Sequence, residues 1–172
     1  MISNIEWALA EEVEMTNKPT FIGNSDIWQF SKTAYLCSDK FSAGSVLKSY
    51  DWAAEMKRLS RCVISGFQSK LEKDVFEILI GGSQPVILAL PHSIYAKPPA
   101  RLKPHIDAGH LLIVSPFPEG IGRPNRSLAF KRNQFIVDNA DEVVFAHIHP
   151  GGMLEKLSLR DTLTVRILDK EN

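Results

Sequence analysis

The sequence predicts an α/β fold: a Rossmann-like, doubly wound, mainly parallel sheet with helices on both faces, in a single domain. Three observations carry this expectation. Short apolar runs rich in β-branched residues recur at 33–37, 62–64, 85–90, 111–114 and 143–146, as in strands buried on both faces. Segments with helical spacing alternate with them, the arrangement that covers a parallel sheet. The chain is 172 residues long and 44% hydrophobic, which suits one sizeable core.

In order along the chain, residues 2–15 read as a short amphipathic helix with Ile5, Leu9 and Val13 on one stripe, broken at Lys18-Pro19. Residues 1–19 are therefore taken as an N-terminal helical extension and 20–172 as the Rossmann domain. Thr20-Phe21-Ile22 reads as a short outer strand closed by Gly23-Asn24. Trp28 and Phe30 are expected to pack beneath the sheet. Residues 42–59 read as a helix with a broad apolar face that includes Val46, Leu47 and Tyr50.

The run Cys62-Val63-Ile64 stops at Ser65-Gly66, and a helical pattern follows with Leu71, Val75, Ile78 and Leu79 on one face. Ser69 with Glu72 three residues later is a capping box that fixes the helix start. Gly81-Gly82 ends that helix. After the fourth run, residues 116–125 form a Gly/Pro loop and 127–139 read as a helix. Pro150-Gly151-Gly152 makes a turn before one or two helical turns at 153–157. Residues 162–168 alternate, which argues for an edge strand.

In parallel α/β sheets, ligands bind outside the carboxyl ends of the strands. Those ends carry Ser38, Ser65 with Gly66, Ser115 and His147. The strand-glycine-helix unit Ser65, Gly66, Phe67, Gln68 and Ser69 offers backbone N–H groups and a helix N-terminus, which suits a phosphate. Serine is also common at strand ends because it enters loops readily.

Lys131, Arg132 and Asn133 interrupt the apolar periodicity of the helix at 127–139 and could bind phosphate. From 97 to 132 the basic residues are Lys97, Arg101, Lys103, Arg123, Arg126, Lys131 and Arg132, against only Asp107 and Glu119. The formal net charge of the chain is +0, so any anion site must be local rather than the product of a global field. Pro150, Gly151 and Gly152 could cradle a phosphate or sugar. The candidate binding residues are therefore Ser38, Ser65, Gly66, Phe67, Gln68, Ser69, Ser115, Lys131, Arg132, Asn133, His147, Pro150, Gly151 and Gly152.

No nucleophile–base–orienter set emerges, so catalysis is not expected. Glu155 is the one carboxylate close to the glycine turn. The five histidines show no paired metal spacing with cysteine or carboxylate, so neither metal nor cofactor is expected. Cys37 and Cys62 occupy apolar strand positions and read as buried free thiols of a reducing compartment. The N-terminal segment has Glu6, Glu11, Glu12 and Glu14 where a secretory signal would be basic and then apolar. No apolar stretch is long enough to span a bilayer. A cytoplasmic location without membrane association is expected.

Together these residues resemble the DNA-processing protein A family (DprA, also called Smf), within the wider Rossmann-like group that includes the LOG phosphoribohydrolases. The resemblance runs from about residue 20 to 157. Thr20 to Asn24 looks like the strand that precedes the family's Rossmann domain. Tyr35-Leu36-Cys37-Ser38 stands where the family has its first strand and Gly-Ser-Arg turn, with Asp39 at the place of that arginine. Ile64-Ser65-Gly66-Phe67-Gln68-Ser69 stands where it has Ser-Gly-x-Ala-x-Gly-Ile-Asp. Lys131-Arg132-Asn133-Gln134-Phe135-Ile136 resembles its Arg-Arg-Asn-Arg-Ile-Ile signature. Pro150-Gly151-Gly152 resembles the Pro-Gly-Gly turn of the LOG branch.

The resemblance implies non-catalytic binding of single-stranded DNA or a nucleotide phosphate, a homodimer, and a role in DNA uptake and transformation. The alternative it implies is a small-nucleotide sensor or a LOG-like nucleoside monophosphate phosphoribohydrolase. In the hydrolase, Glu155 would be the ribose carboxylate.

Overall fold

Seven strands, β1 (Thr20–Ile22), β2 (Lys32–Leu36), β3 (Cys62–Ser65), β4 (Val86–Ala89), β5 (Leu111–Ser115), β6 (Glu142–Phe145) and β7 (Thr164–Ile167), form one sheet. Their order is β1-β5-β4-β3-β2-β6-β7. The computed structural model describes residues 13–160 and 164–171. All neighbouring pairs are parallel except β1 with β5. The edge strand expected at 162–168 is β7. It adds a sixth parallel strand beyond β6, with Phe145 opposite Ile167. The helix expected at 2–15 falls outside the described residues, apart from 13–15, which form no helix or strand.

Among the described residues, five helices cover the sheet: α1 (Ala43–Arg58), α2 (Lys70–Ile80), α3 (Lys103–Asp107), α4 (Arg126–Asp138) and α5 (Met153–Ser158). Strand side chains alternate between two cores, as the two-residue period requires. Tyr35, Val63, Val86 and Ile113 pack against Trp52, Met56, Leu71 and Val75 of α1 and α2. Leu36, Ile64, Ile87 and Val114 pack against Phe135, Ile136, Leu154 and Leu157 of α4 and α5. The sheet is thus buried on both faces, which is why its strands read as continuous apolar runs. Trp28 joins the second core and stacks on Phe135 at 5.7 Å. Phe30 does not pack beneath the sheet as expected: it is 47% exposed, because β2 begins only at Lys32 and the preceding turn lies outside the core. Among the described residues, no helix is long and apolar enough to cross a membrane.

Both cysteines are free and buried. Burial pushes each thiol up from about 9 to about 12. At pH 8 both are protonated, and the thiol is the unreactive form. Native protein is expected to give no reaction with Ellman's reagent at pH 8 and two equivalents after unfolding. Rapid labelling of either residue in the native state would contradict this assignment. The sign of the pH dependence follows from the same shift. An unfolded chain loses these protons near 9 and the folded chain only near 12, so stability falls as pH rises through that interval.

Candidate functional site

Connections leave β2 towards β3 and leave β6 towards β7, so the carboxyl ends of β2 and β6 are the point where the sheet's winding reverses. A crevice of about 730 Å³ opens there. Four segments line it: Cys37 to Lys40 after β2; Gln68, Ser69 and Glu72 at the start of α2; Pro124 to Asn133 on one face of α4; and His149 to Leu154 after β6.

The start of α2 is built as the sequence implied, with Ser69 capping Glu72 N at 3.3 Å. Glu72 does more than close the capping box. It is 5% exposed. Its Oε2 accepts from Gln68 N and Ser69 N, both at 2.9 Å. Its Oε1 accepts from Cys37 N at 3.0 Å, which ties the end of β2 to α2. The N–H groups expected to cradle a ligand phosphate at this turn are therefore held by the chain's own carboxylate.

Ser65 and Ser115 are fully buried and turned inward. Ser65 Oγ accepts from Phe67 N at 3.1 Å, and Ser115 Oγ accepts from Phe117 N at 3.2 Å while donating to His92 O. Each satisfies a backbone N–H two residues on, a local turn device. Phe67 has φ +47° and packs on Phe76 at 4.6 Å. With Phe117 also buried, neither ring is free to stack on a base. His147 pairs with Asp169 at 2.5 Å and lies outside the crevice lining.

The basic segment does not converge. Arg101 pairs with Glu77, Lys103 pairs with Asp107, and Lys131 donates to Val13 O at 2.6 Å away from the crevice. Arg126, Ala129, Arg132 and Asn133 do line it. Their spacing places them on one helical face, while Lys131 sits about 100° round the helix from Arg132.

Arg132 forms the crevice's basic floor. It is 3% exposed. Nε donates to Asn133 Oδ1 at 2.8 Å, Nη1 to Ala89 O at 3.3 Å and Nη2 to Gln68 Oε1 at 2.9 Å. These use three of the five guanidinium N–H groups and leave two. Among the described residues no carboxylate forms a salt bridge with it. Burial lowers its pKa, and the Glu72 carboxylate opposes that shift. Gly66 leaves room for it: a Cβ there would lie 2.2 Å from the guanidinium carbon, so a side chain at this position would displace the guanidinium. Asn133 in turn donates to Met153 Sδ at 3.4 Å, joining α4 to α5.

Of the residues singled out in the sequence, the crevice gathers Ser38, Gln68, Ser69, Arg132, Asn133, Pro150, Gly151 and Gly152. It does not gather Ser65, Gly66, Phe67, Ser115, Lys131 or His147. Ser38 Oγ accepts from His149 N at 2.9 Å, so it braces the loop after β6. Gly151, at φ +73°, donates to Glu155 Oε2 at 2.8 Å. Glu155 is exposed and stands outside the lining. The structure adds Asp39, Lys40, Asn125, Arg126, His149 and Met153 to the crevice. Helical spacing back from Arg132 and Asn133 is the signal that would have picked out Arg126. Adjacency to Ser38 would have picked out Asp39 and Lys40.

Among the described residues, no group of three or more His, Cys, Asp or Glu side chains could hold a metal ion. A second cavity of about 540 Å³ lies beside α1 and β7, but its Arg166 is paired with Glu171 and its Arg58 with Glu55.

The structure of DNA processing protein A from Streptococcus pneumoniae matches with a TM-score of 0.69 at 17% identity, over 86% of this chain. The fold is DprA-like over the part of that protein that the chain matches. A second DprA structure, from Helicobacter pylori and described for its single-stranded DNA binding mode, matches with a TM-score of 0.59 at 18% identity over 79% of this chain. The DprA-like fold extends to a molybdenum cofactor binding protein from Rippkaea orientalis, with a TM-score of 0.50 at 14% identity over 76% of this chain and 70% of that one. This chain spans 53% of the Streptococcus protein and 64% of the Helicobacter protein. No family model matches the chain, and no curated protein matches it by sequence.

Proposed function

We propose that the crevice at the ends of β2 and β6 binds single-stranded DNA through its phosphates, without catalysis. One observation carries this reading: Arg132 is a buried cation with two N–H groups to spare and, among the described residues, no salt-bridge partner. Holding a desolvated charge in no direct salt bridge, with the Glu72 carboxylate spent on backbone N–H groups, is unfavourable. An anionic ligand supplies the missing partner, and the crevice is the route by which it reaches the guanidinium. Arg126 and Lys40 at the mouth add attraction for a polyanion. The DprA-like fold supports DNA as the source of that phosphate, since the Helicobacter protein of the same fold is described as binding single-stranded DNA.

On this reading residues 20–172 are the binding domain and residues 1–19 an extension. The protein acts in the cytoplasm as a homodimer and takes part in DNA uptake. The small-nucleotide alternative has one feature in its favour, a crevice whose volume suits a mononucleotide. Glu155 offers the phosphoribohydrolase form of it little, because that carboxylate is outside the crevice lining and is engaged by Gly151 N.

The test is fluorescence anisotropy with a short labelled single-stranded oligonucleotide at low and near-physiological salt. Binding is expected to weaken with salt, with a log–log slope of about −0.7 per phosphate contacted. Arg126→Ala is expected to lower both the affinity and the slope. No binding at low salt would remove DNA as the ligand.

A further inference from the structure

Arg132 is the proposed phosphate contact, yet it is only 3% exposed. A ligand therefore reaches its guanidinium only after a neighbouring group moves. Three acceptors hold that guanidinium, and they differ in how free they are to leave. Ala89 O is a backbone carbonyl at the end of β4, in a fully buried residue. Asn133 Oδ1 belongs to a buried side chain whose Nδ2 is tied to Met153 Sδ. Gln68 Oε1 belongs to an exposed side chain in the crevice wall. Beyond that one bond, the Gln68 carboxamide makes no hydrogen bond to a described residue. The Gln68 backbone is anchored separately, through its N–H on Glu72 Oε2. The side chain can thus change rotamer while the start of α2 stays in place.

We infer that Gln68 Oε1 is a stand-in for a phosphate oxygen: it keeps Arg132 Nη2 bonded when no ligand is bound and gives up that place when a phosphate enters. The inference rests on the phosphate-binding reading of the crevice and identifies the movement that opens it. The exchange is favourable because an anionic oxygen adds an ion pair to the hydrogen bond, whereas a neutral amide oxygen supplies the bond alone. It leaves three guanidinium N–H groups for the ligand, the two spare ones and the one that Gln68 releases. The released carboxamide is on the exposed side and meets water, so the move strands no polar atom.

The test compares Gln68→Glu, Gln68→Ala and Lys40→Gln with the wild type, by anisotropy of the labelled oligonucleotide at low salt. Gln68→Glu places an anionic oxygen where the stand-in sits, so Arg132 gains an internal partner. Binding is expected to weaken about tenfold or more, the scale of one charge-assisted hydrogen bond. Lys40→Gln lowers the charge of the crevice lining by the same single unit and touches none of the Arg132 bonds. It is expected to cost only about threefold, the scale of one unit charge acting across a wet crevice. Gln68→Ala removes the competitor and is expected to bind at least as tightly as the wild type. Equal losses in Gln68→Glu and Lys40→Gln would reduce the effect to net charge and overturn the inference. So would weaker binding by Gln68→Ala, which would make the carboxamide a ligand contact or a support for Arg132. In both cases strand binding by the wild type leaves the proposed function standing. If the wild type does not bind the strand at low salt, both fall.

Discussion

Arg132→Met is expected to abolish oligonucleotide binding while leaving thermal stability unchanged or raised. The two effects come from the same burial. Two spare N–H groups facing a phosphate make charge-assisted hydrogen bonds of roughly 1.5–3 kcal/mol each, so their removal weakens binding on the order of a hundredfold or more. In the unliganded protein that guanidinium is a desolvated charge with no salt-bridge partner among the described residues. Methionine keeps the apolar stem and removes the charge. It strands two buried acceptors, Ala89 O and Asn133 Oδ1, at about 1–3 kcal/mol each. Removing a buried ion recovers several kcal/mol, which offsets that loss. Binding and melting temperature measured on one preparation separate the possibilities. Retained binding would sink the assignment of Arg132 as the phosphate contact. Lost binding with a large drop in melting temperature would mark it as structural. Lys131→Ala is the contrast: its ammonium is anchored on Val13 O outside the crevice, so affinity for a short strand should barely change.

The contrast between Lys131 and Arg132 shows how the site was legible in the sequence and where it was not. The run Lys131-Arg132-Asn133 announces a polar interruption, but adjacent helical residues point about 100° apart. Only the helical period, applied back to Arg126, separates the crevice face from the outer face. The strand ends were placed correctly, because continuous apolar runs stop where the sheet stops. The side chains at those ends were not. Ser65 and Ser115 look alike from sequence whether they face a ligand or close their own turn, and here both bond the N–H two residues on. Their polar atoms are spent locally, and a one-dimensional pattern does not reveal which way a hydroxyl rotates.

Glu72 is the reverse case, and its replacement is the second large effect expected. The capping box fixes its position from sequence alone, but the reach to Cys37 N depends on β2 and β3 lying side by side. Glu72→Ala leaves the N–H groups of Cys37, Gln68 and Ser69 without their acceptor, and Cys37 and Ser69 are buried. At about 1–3 kcal/mol for each buried donor, plus the lost cap, destabilisation of roughly 3–6 kcal/mol is expected. That is a large part of the 5–15 kcal/mol typical of a domain. Glu72→Gln should be nearly as damaging despite its equal volume. An amide has one acceptor oxygen, and the carboxylate uses both of its own. With that oxygen facing Gln68 N and Ser69 N, the amide NH₂ meets Cys37 N donor to donor. Urea midpoints of the two variants should therefore fall close together and well below wild type. A Glu72→Gln midpoint near that of wild type would mean that the tie between β2 and α2 carries little of the stability.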